Sequence, residues 1–235
     1  MKIYMDEAWR WPLFWPLHIG LTISFISSKQ LQKHPLFKDS KALTPKKREI
    51  AFDEIYKLQS EKKLLTCIWS VDPNFIDTYW ITRGINIAIS RALYILLSQL
   101  LNQPIRKKIN YKKINTLIEK YEKEHEKIEL IIDWKTDFWI SKDLNIKTKT
   151  IIHWDAECVE ISISSILAKV SRDNLIDEIA KKYPNYSFEK HKGYWTKLHY
   201  EAIEKYWVLP EHRKLFLKKI FQDWKIQNFN TKNSF

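Results

Sequence analysis

The sequence predicts an α/β domain with a helical C-terminal region, and three observations carry that prediction. Short apolar, β-branched runs alternate with helical patterns over the first two thirds of the chain. Several of those runs close on an acid. From Glu160 onward apolar positions recur at helical spacing and no further strand pattern follows.

Lys2–Met5 reads as a short strand ending at Asp6-Glu7, Leu17–Ile26 as a second strand and Leu64–Ile68 as a third. Thr44 followed by Pro45 gives an N-cap and a first-turn proline for a helix over Lys46–Leu58. Ile85–Leu101 is an apolar helix buried along much of its surface. Residues 104–127 hold eight Lys/Arg and four Glu and read as a basic, solvent-exposed helical insertion without a strong apolar face. A nucleic-acid-binding arm is the sharper reading of the same charges. Glu129–Ile132 is a strand ending at Asp133, and Thr150–His153 a strand followed by Trp154-Asp155. Helices follow over Glu160–Lys182, stopped by Pro184, then over Thr196–Tyr206 and Arg213–Phe221. Residues 1–182 are expected to form the main α/β domain and 183–235 a helical region with a frayed tail.

At 235 residues and 45% hydrophobic, the chain can bury a real core and is not a disordered tail. Its net charge of +12 suits a polyanionic partner, although a well-solvated basic surface would read the same way. Cys67 and Cys158 are too few for a disulfide framework or metal cluster, and buried free thiols are expected. No apolar run reaches the roughly 18 residues of a membrane span. Asp6 and Glu7 fall where a signal peptide needs apolar residues, so cytoplasm is the expected compartment.

Asp6 with Glu7, Asp133 and Asp155 are acids at strand ends, where open α/β sheets bind ligands. Crowded carboxylates repel unless cations lie between them. Hard oxygen donors select Mg²⁺ or Mn²⁺, and two such ions suit in-line displacement at phosphorus. Adjacent strand residues face opposite sides, so Glu7 joins Asp6 only if it lies in the turn after the strand. Spacing alone leaves ordinary strand-end acids as an open alternative.

Local motifs go further. Asp6-Glu7-Ala8-Trp9-Arg10-Trp11-Pro12, with Trp15-Pro16 after it, resembles the ribonuclease HII signature Asp-Glu-Ala-Gly-Arg-Gly-Pro followed by Gly-Pro. Asp39-Ser40-Lys41-Ala42-Leu43 resembles its Asp-Ser-Lys-x-Leu segment, Asp133-Trp134 its Asp-Gly and Trp154-Asp155 its Gly-Asp. Ser165 to Asp173 resembles Ser-Ile-x-Ala-Lys-Val-x-Arg-Asp, and His191-Lys192-Gly193-Tyr194-Trp195-Thr196 resembles His-Lys-Gly-Tyr-Gly-Thr. His212-Arg213 with Phe216 is similar to its terminal His-Arg segment.

The resemblance implies a ribonuclease H-like mixed sheet flanked by helices, with a C-terminal helical region. It implies hydrolysis of RNA in RNA–DNA hybrids and cutting 5′ of ribonucleotides embedded in duplex DNA, leaving 3′-hydroxyl and 5′-phosphate ends. Asp6, Glu7, Asp133 and Asp155 match the metal-binding catalytic carboxylates. Trp9, Arg10 and Trp11 occupy the loop that reads the ribose 2′-hydroxyl, and Tyr194 matches the tyrosine that stacks at the RNA–DNA junction. Lys41, Lys169, Arg172, His191 and Lys192 are candidates to hold phosphates. Arg172 could instead be a helix-surface charge, His191 a loop histidine with a structural hydrogen bond and Tyr194 a packing residue. The expected partners are hybrid and ribonucleotide-containing duplex, with no membrane, and the expected state is a monomer. A non-catalytic nucleic-acid-binding relative is the second reading, and another nuclease or transposase-like enzyme on the same sheet the third.

One ratio is abnormal: 3 Gly against 11 Trp. Average usage would give roughly 16 Gly in this length. Trp9, Trp11, Trp15, Trp134, Trp154 and Trp195 all stand where the resembled motifs have Gly, and Trp80 and Trp207 stand at helix ends that favour Gly. Trp69 at a strand end and Trp139 in a loop are also suspect. A single replacement type points to the genetic code, since UGA is read as Trp in some variant codes and as Gly in others. The Trp codons are therefore expected to be nearly all UGA. Tryptophan at residues 9 and 11 would block close approach to a ribose, so the chain as written would fold poorly or be inactive, and the Gly form active.

Overall fold

A computed structural model describes residues 1–8, 12–37, 42–152 and 158–217. Trp9, Arg10, Trp11, Lys41, Trp154 and Asp155 lie outside the described residues.

The core is a five-stranded mixed sheet. β1 (Lys2–Ala8) is its central strand, with β2 (Leu17–Ser24) and then β3 (Leu64–Val71) on one side, and β4 (Glu129–Asp133) and then β5 (Lys147–Ile151) on the other. β1 runs antiparallel to β2 and parallel to β4, β2 is antiparallel to β3, and β4 is parallel to β5. This is the expected mixed sheet flanked by helices. One expectation is corrected: β1 does not stop before Asp6 and Glu7. Antiparallel pairing with Ile19 and His18 carries the strand through Glu7 to Ala8.

Alternation along β1 and β2 sends side chains to two helical layers. Ile3, Met5, Ile19 and Leu21 pack with α3 (Pro73–Leu100), beneath which lies α4 (Tyr111–Glu124). The opposite face takes α6 (Val159–Lys182), with α1 (Ser28–Gln32) and α2 (Pro45–Ser60) beside it; α5 (Ile140–Asp143) is a single turn before β5. Gly20 is what permits that second layer. A Cβ there would lie 2.2 Å from the Ser164 carbonyl oxygen, so only glycine lets α6 lie this close to β2. The Ser164 hydroxyl then bonds the Tyr4 carbonyl at 3.1 Å and the Thr22 hydroxyl at 2.8 Å, tying α6 across both strands.

Helix starts follow local chemistry. The Thr44 hydroxyl accepts from the Lys47 amide ahead of α2, and the Asp72 carboxylate accepts from the Asn74 amide ahead of α3. α3 is interrupted at Trp80, which has φ 69° and ψ 155°. The basic stretch 104–127 is not the exposed insertion expected. α4 buries Ile114 and Ile118 against α3, with Tyr111 and Tyr121 on the same face. These positions, spaced three, four and three residues apart, form an apolar stripe that the surrounding lysines obscure.

After α6 come α7 (Phe188–His191) and α8 (Lys197–Tyr206), capped by Thr196. They share a cluster with Leu13, Phe14, Ile176 and Ile179, so packing is continuous across the expected boundary at residue 182. Among the described residues, no helix is long and apolar enough to cross a membrane. Cys67 is buried and Cys158 half-buried, both as free thiols.

Candidate active site

The parallel register of β1 and β4 places Met5 opposite Ile132, so one further step sets Asp6 beside Asp133. Asp6 also lies opposite Gly20 on β2. Two acids that are 127 positions apart in sequence thus meet at one sheet edge. The Asp6 carboxylate accepts from the Glu7 amide at 2.8 Å and from the Ser165 side chain on α6. Burial and then the neighbouring Glu7 carboxylate hold the Asp6 carboxyl well above its ordinary range, with Asp133 adding to this; the bonds from Ser165 and the Glu7 amide pull it down. Glu7 therefore acts on Asp6 although it lies within the strand rather than in a turn.

A site whose acids disfavour one another's ionisation is relieved by a cation between them. The donor set is hard oxygen, which suits Mg²⁺ or Mn²⁺. Asp6, Glu7 and Asp133 supply donors of that kind, although among the described residues no three acids, histidines or cysteines are grouped closely enough to hold an ion.

α6 leads away from these acids. Ser165, Lys169 and Asp173 succeed one another at four-residue steps on one face of it, spanning roughly 12 Å. The Lys169 ammonium is 2.8 Å from Asp173, which also has Arg48 at 3.9 Å. Burial lowers the Lys169 ammonium to about 8, partly offset by Asp173. Tyr194 follows at the far end, 39% exposed and in the field of Arg172 and Asp173. Burial pushes its phenol to about 12, so the ring stays neutral near pH 7.

Two expected phosphate contacts are corrected. Arg172 is 0% exposed, and its guanidinium donates to the Lys192 and Phe14 carbonyls, each at 3.0 Å. His191 is buried, its Nε2 on the Tyr186 carbonyl at 2.8 Å and its Nδ1 facing the Gly193 amide at 3.2 Å. Both side chains face inward because the C-terminal elements close over the end of α6. Lys192 is half-buried and paired with Asp177.

Sequence reasoning did not single out Ser165 or Gly20, although Ser165 opens the quoted α6 motif. Of the two histidines beneath Tyr194, His199 carries no motif and His212 is legible only as part of the terminal His-Arg segment. His199 Nδ1 bonds the Tyr194 carbonyl at 2.9 Å, His199 Nε2 faces His212 Nε2 at 3.2 Å, and His212 Nδ1 faces the Leu209 amide at 2.9 Å. Only neutral rings satisfy all three bonds, with His199 protonated at Nδ1 and His212 at Nε2.

A mixed sheet with acids gathered at the end of its central parallel pair defines a nuclease of the ribonuclease H type. The chain belongs to the ribonuclease HII family, whose sequence profile matches residues 3–223. A ribonuclease HII of Caldicellulosiruptor saccharolyticus is 34% identical over 219 residues, covering 93% of this chain and 87% of that protein. One from Bacillus cytotoxicus is 35% identical over 212 residues, 90% of this chain and 66% of the longer relative. Among solved structures, ribonuclease H2 of Pyrococcus horikoshii shares the fold with TM-score 0.68 and 23% identity, covering 95% of this chain and 98% of that one. The chain is accordingly a ribonuclease H, a metal-dependent hydrolase of phosphodiesters.

Proposed function

We propose that this enzyme hydrolyses RNA in RNA–DNA hybrids and cuts 5′ of single ribonucleotides embedded in duplex DNA, leaving 3′-hydroxyl and 5′-phosphate ends. The observation that carries the reading is Asp6 beside Asp133 at the end of the central parallel strand pair, with the Glu7 carboxylate acting on Asp6; the fourth acid of the motif set, Asp155, lies outside the described residues. Asp6, Glu7, Asp133 and Asp155 would hold two divalent ions, whose chemistry when bound would be to activate a water and stabilise the leaving oxygen. A solved Mn²⁺ complex of Bst-RNase HIII, a fold neighbour at TM-score 0.54, supports Mn²⁺ as one usable ion.

The chain's own groups supply placement. Asp6 is oriented by the Ser165 hydroxyl and the Glu7 amide before substrate arrives. Lys169, partly desolvated, offers a cation to a backbone phosphate between the acids and Tyr194. The half-exposed Tyr194 ring packs on a sugar or base step and senses helix shape. The loop of residues 9–11, with Arg10 between Trp9 and Trp11, reads the 2′-hydroxyl, the one group that marks a ribonucleotide in DNA, largely through its backbone. The enzyme works as a cytoplasmic monomer. A purely binding role would leave the mutual repulsion of the acids without a use.

The test is a labelled duplex carrying one ribonucleotide, incubated with Mg²⁺ or Mn²⁺. The protein is made both as written and with Gly at residues 9, 11, 134 and 154. Cutting 5′ of the ribonucleotide by the Gly form is expected. Intact duplex with both proteins and both metals would overturn the proposal.

A further inference from the structure

Arg172 is a fully buried cation with no part in the catalytic arrangement described above. Burying a guanidinium is costly unless its donors are satisfied, and here both terminal nitrogens donate to main chain. Nη1 takes the Lys192 carbonyl and Nη2 the Phe14 carbonyl. The Leu13 amide adds a second link to the Gly193 carbonyl at 2.9 Å. Arg213, also 0% exposed, adds two more: its amide bonds the Leu13 carbonyl at 2.7 Å and its Nε the Trp15 carbonyl at 3.1 Å. Gly193 has φ +83°, and a Cβ there would lie 3.3 Å from Arg172 Nη2. The segment so fixed leaves β1 a few residues after Asp6 and Glu7 on one side, and carries Tyr194 on the other.

We propose that Arg172 is a positioning residue that sets the spacing between the Tyr194 ring and the β1 acids, and thereby decides which phosphodiester beside a ribose is cut. This rests on the proposed function. Lysine at 172 keeps the charge but donates from one point and does not span both carbonyls.

The experiment compares parent and Arg172→Lys, both carrying the Gly substitutions above. Arg172→Lys is expected to lose on the order of 100-fold in kcat/KM on the single-ribonucleotide duplex, the scale of an ångström-level misplacement, and far less on a long hybrid. Its cut sites should spread, while its Mn²⁺ titration and circular dichroism stay unchanged. In chelator, its binding preference for ribonucleotide-containing over all-DNA duplex should fall. Equal losses on both substrates with an unmoved cut site would overturn the proposal, as would an unchanged binding preference. If Arg172→Lys fails to fold, Gly193→Ala disturbs the same link from the other side and is read by the same criteria. A parent that binds selectively but cuts neither substrate strikes the proposed function, while the binding preference still decides the role of Arg172.

The backbone carries a second, independent inference. Among the described residues nine that are not glycine have positive φ, and four of them are Trp15, Trp80, Trp139 and Trp207 at 64–74°. Trp80, with ψ 155°, and Trp207, with ψ −174°, occupy a region that is essentially glycine's alone. Trp80, Trp139 and Trp207 are each more than half exposed, so packing does not hold those bulky rings there. We infer that residues 15, 80, 139 and 207 are glycine in the working protein, the host reading as glycine a codon rendered here as tryptophan. UGA at these four codons is expected, and UGG would overturn the inference. Trp80→Gly with Trp207→Gly should raise the melting midpoint by about 2–4 °C per site, and a lowered midpoint would equally count against it.

Discussion

Asp6 owes its position to residues that never touch substrate. Gly20 admits α6, and α6 brings Ser165 to the Asp6 carboxylate. Gly20→Ala should destabilise the fold by about 3 kcal/mol, the upper range for overpacking, and reduce cleavage with it; an unchanged denaturant midpoint would show that α6 can retreat without cost. Asp133→Asn should cut kcat by roughly three orders of magnitude or more while duplex binding persists, because it removes charge that holds the ions rather than phosphate contacts. Full activity in a single-turnover assay would take Asp133 out of the site. At this scale the acids were legible as strand-end residues and as motif members. The inward turn of Arg172 and His191 was not, because a motif gives residue type without the direction a side chain takes.

The helical stretch within 104–127 is a cover for the core rather than a free arm. Ile114 and Ile118 are 1% and 0% exposed, and the lysines around them occupy the outer face. Ile118→Ala should therefore cost about 2–5 kcal/mol, read as a fall in the urea midpoint, whereas Lys120→Ala should leave that midpoint within error. A small effect of Ile118→Ala would restore the exposed-arm reading. Composition averaged over the stretch hid a stripe that the three-and-four spacing contains. For α2 the local signals sufficed, since Thr44-Pro45 combines a capping acceptor with a proline that needs no donor; α3 starts at Pro73, well ahead of the expected Ile85, on an Asp72-Pro73 signal of the same kind that the apolar pattern overshadowed.

Taken whole, the molecule has an acid-sensitive end. Burial first of all lowers the pKa of His18 to about 4, of His199 to about 3 and of His212 to about 4. Unfolding restores ordinary values near 6.5, so below that pH the unfolded chain binds protons that the folded one refuses. Stability is thus full above pH 6.5 and falls towards pH 4, by up to about 1.4 kcal/mol per pH unit for each histidine. A second proton between His199 and His212 also sets two donors face to face under the Tyr194 carbonyl. Thermal melts in saturating Mg²⁺ from pH 7.5 to 4 should show this decline, and His199→Gln should flatten it; a midpoint constant across that range would contradict the neutral-ring network.

The sequence by itself determined most strands and helices, the start of α2, the family resemblance and the anomalous tryptophans, because apolar period, turn chemistry and motif are written within a few residues of one another. Only the tertiary structure decided that Asp6 lies beside Asp133, that Gly20 sets the depth of α6, and that Arg172 bonds main chain instead of phosphate. Those outcomes depend on strand register and on helix packing between segments more than a hundred residues apart, and no local pattern encodes either.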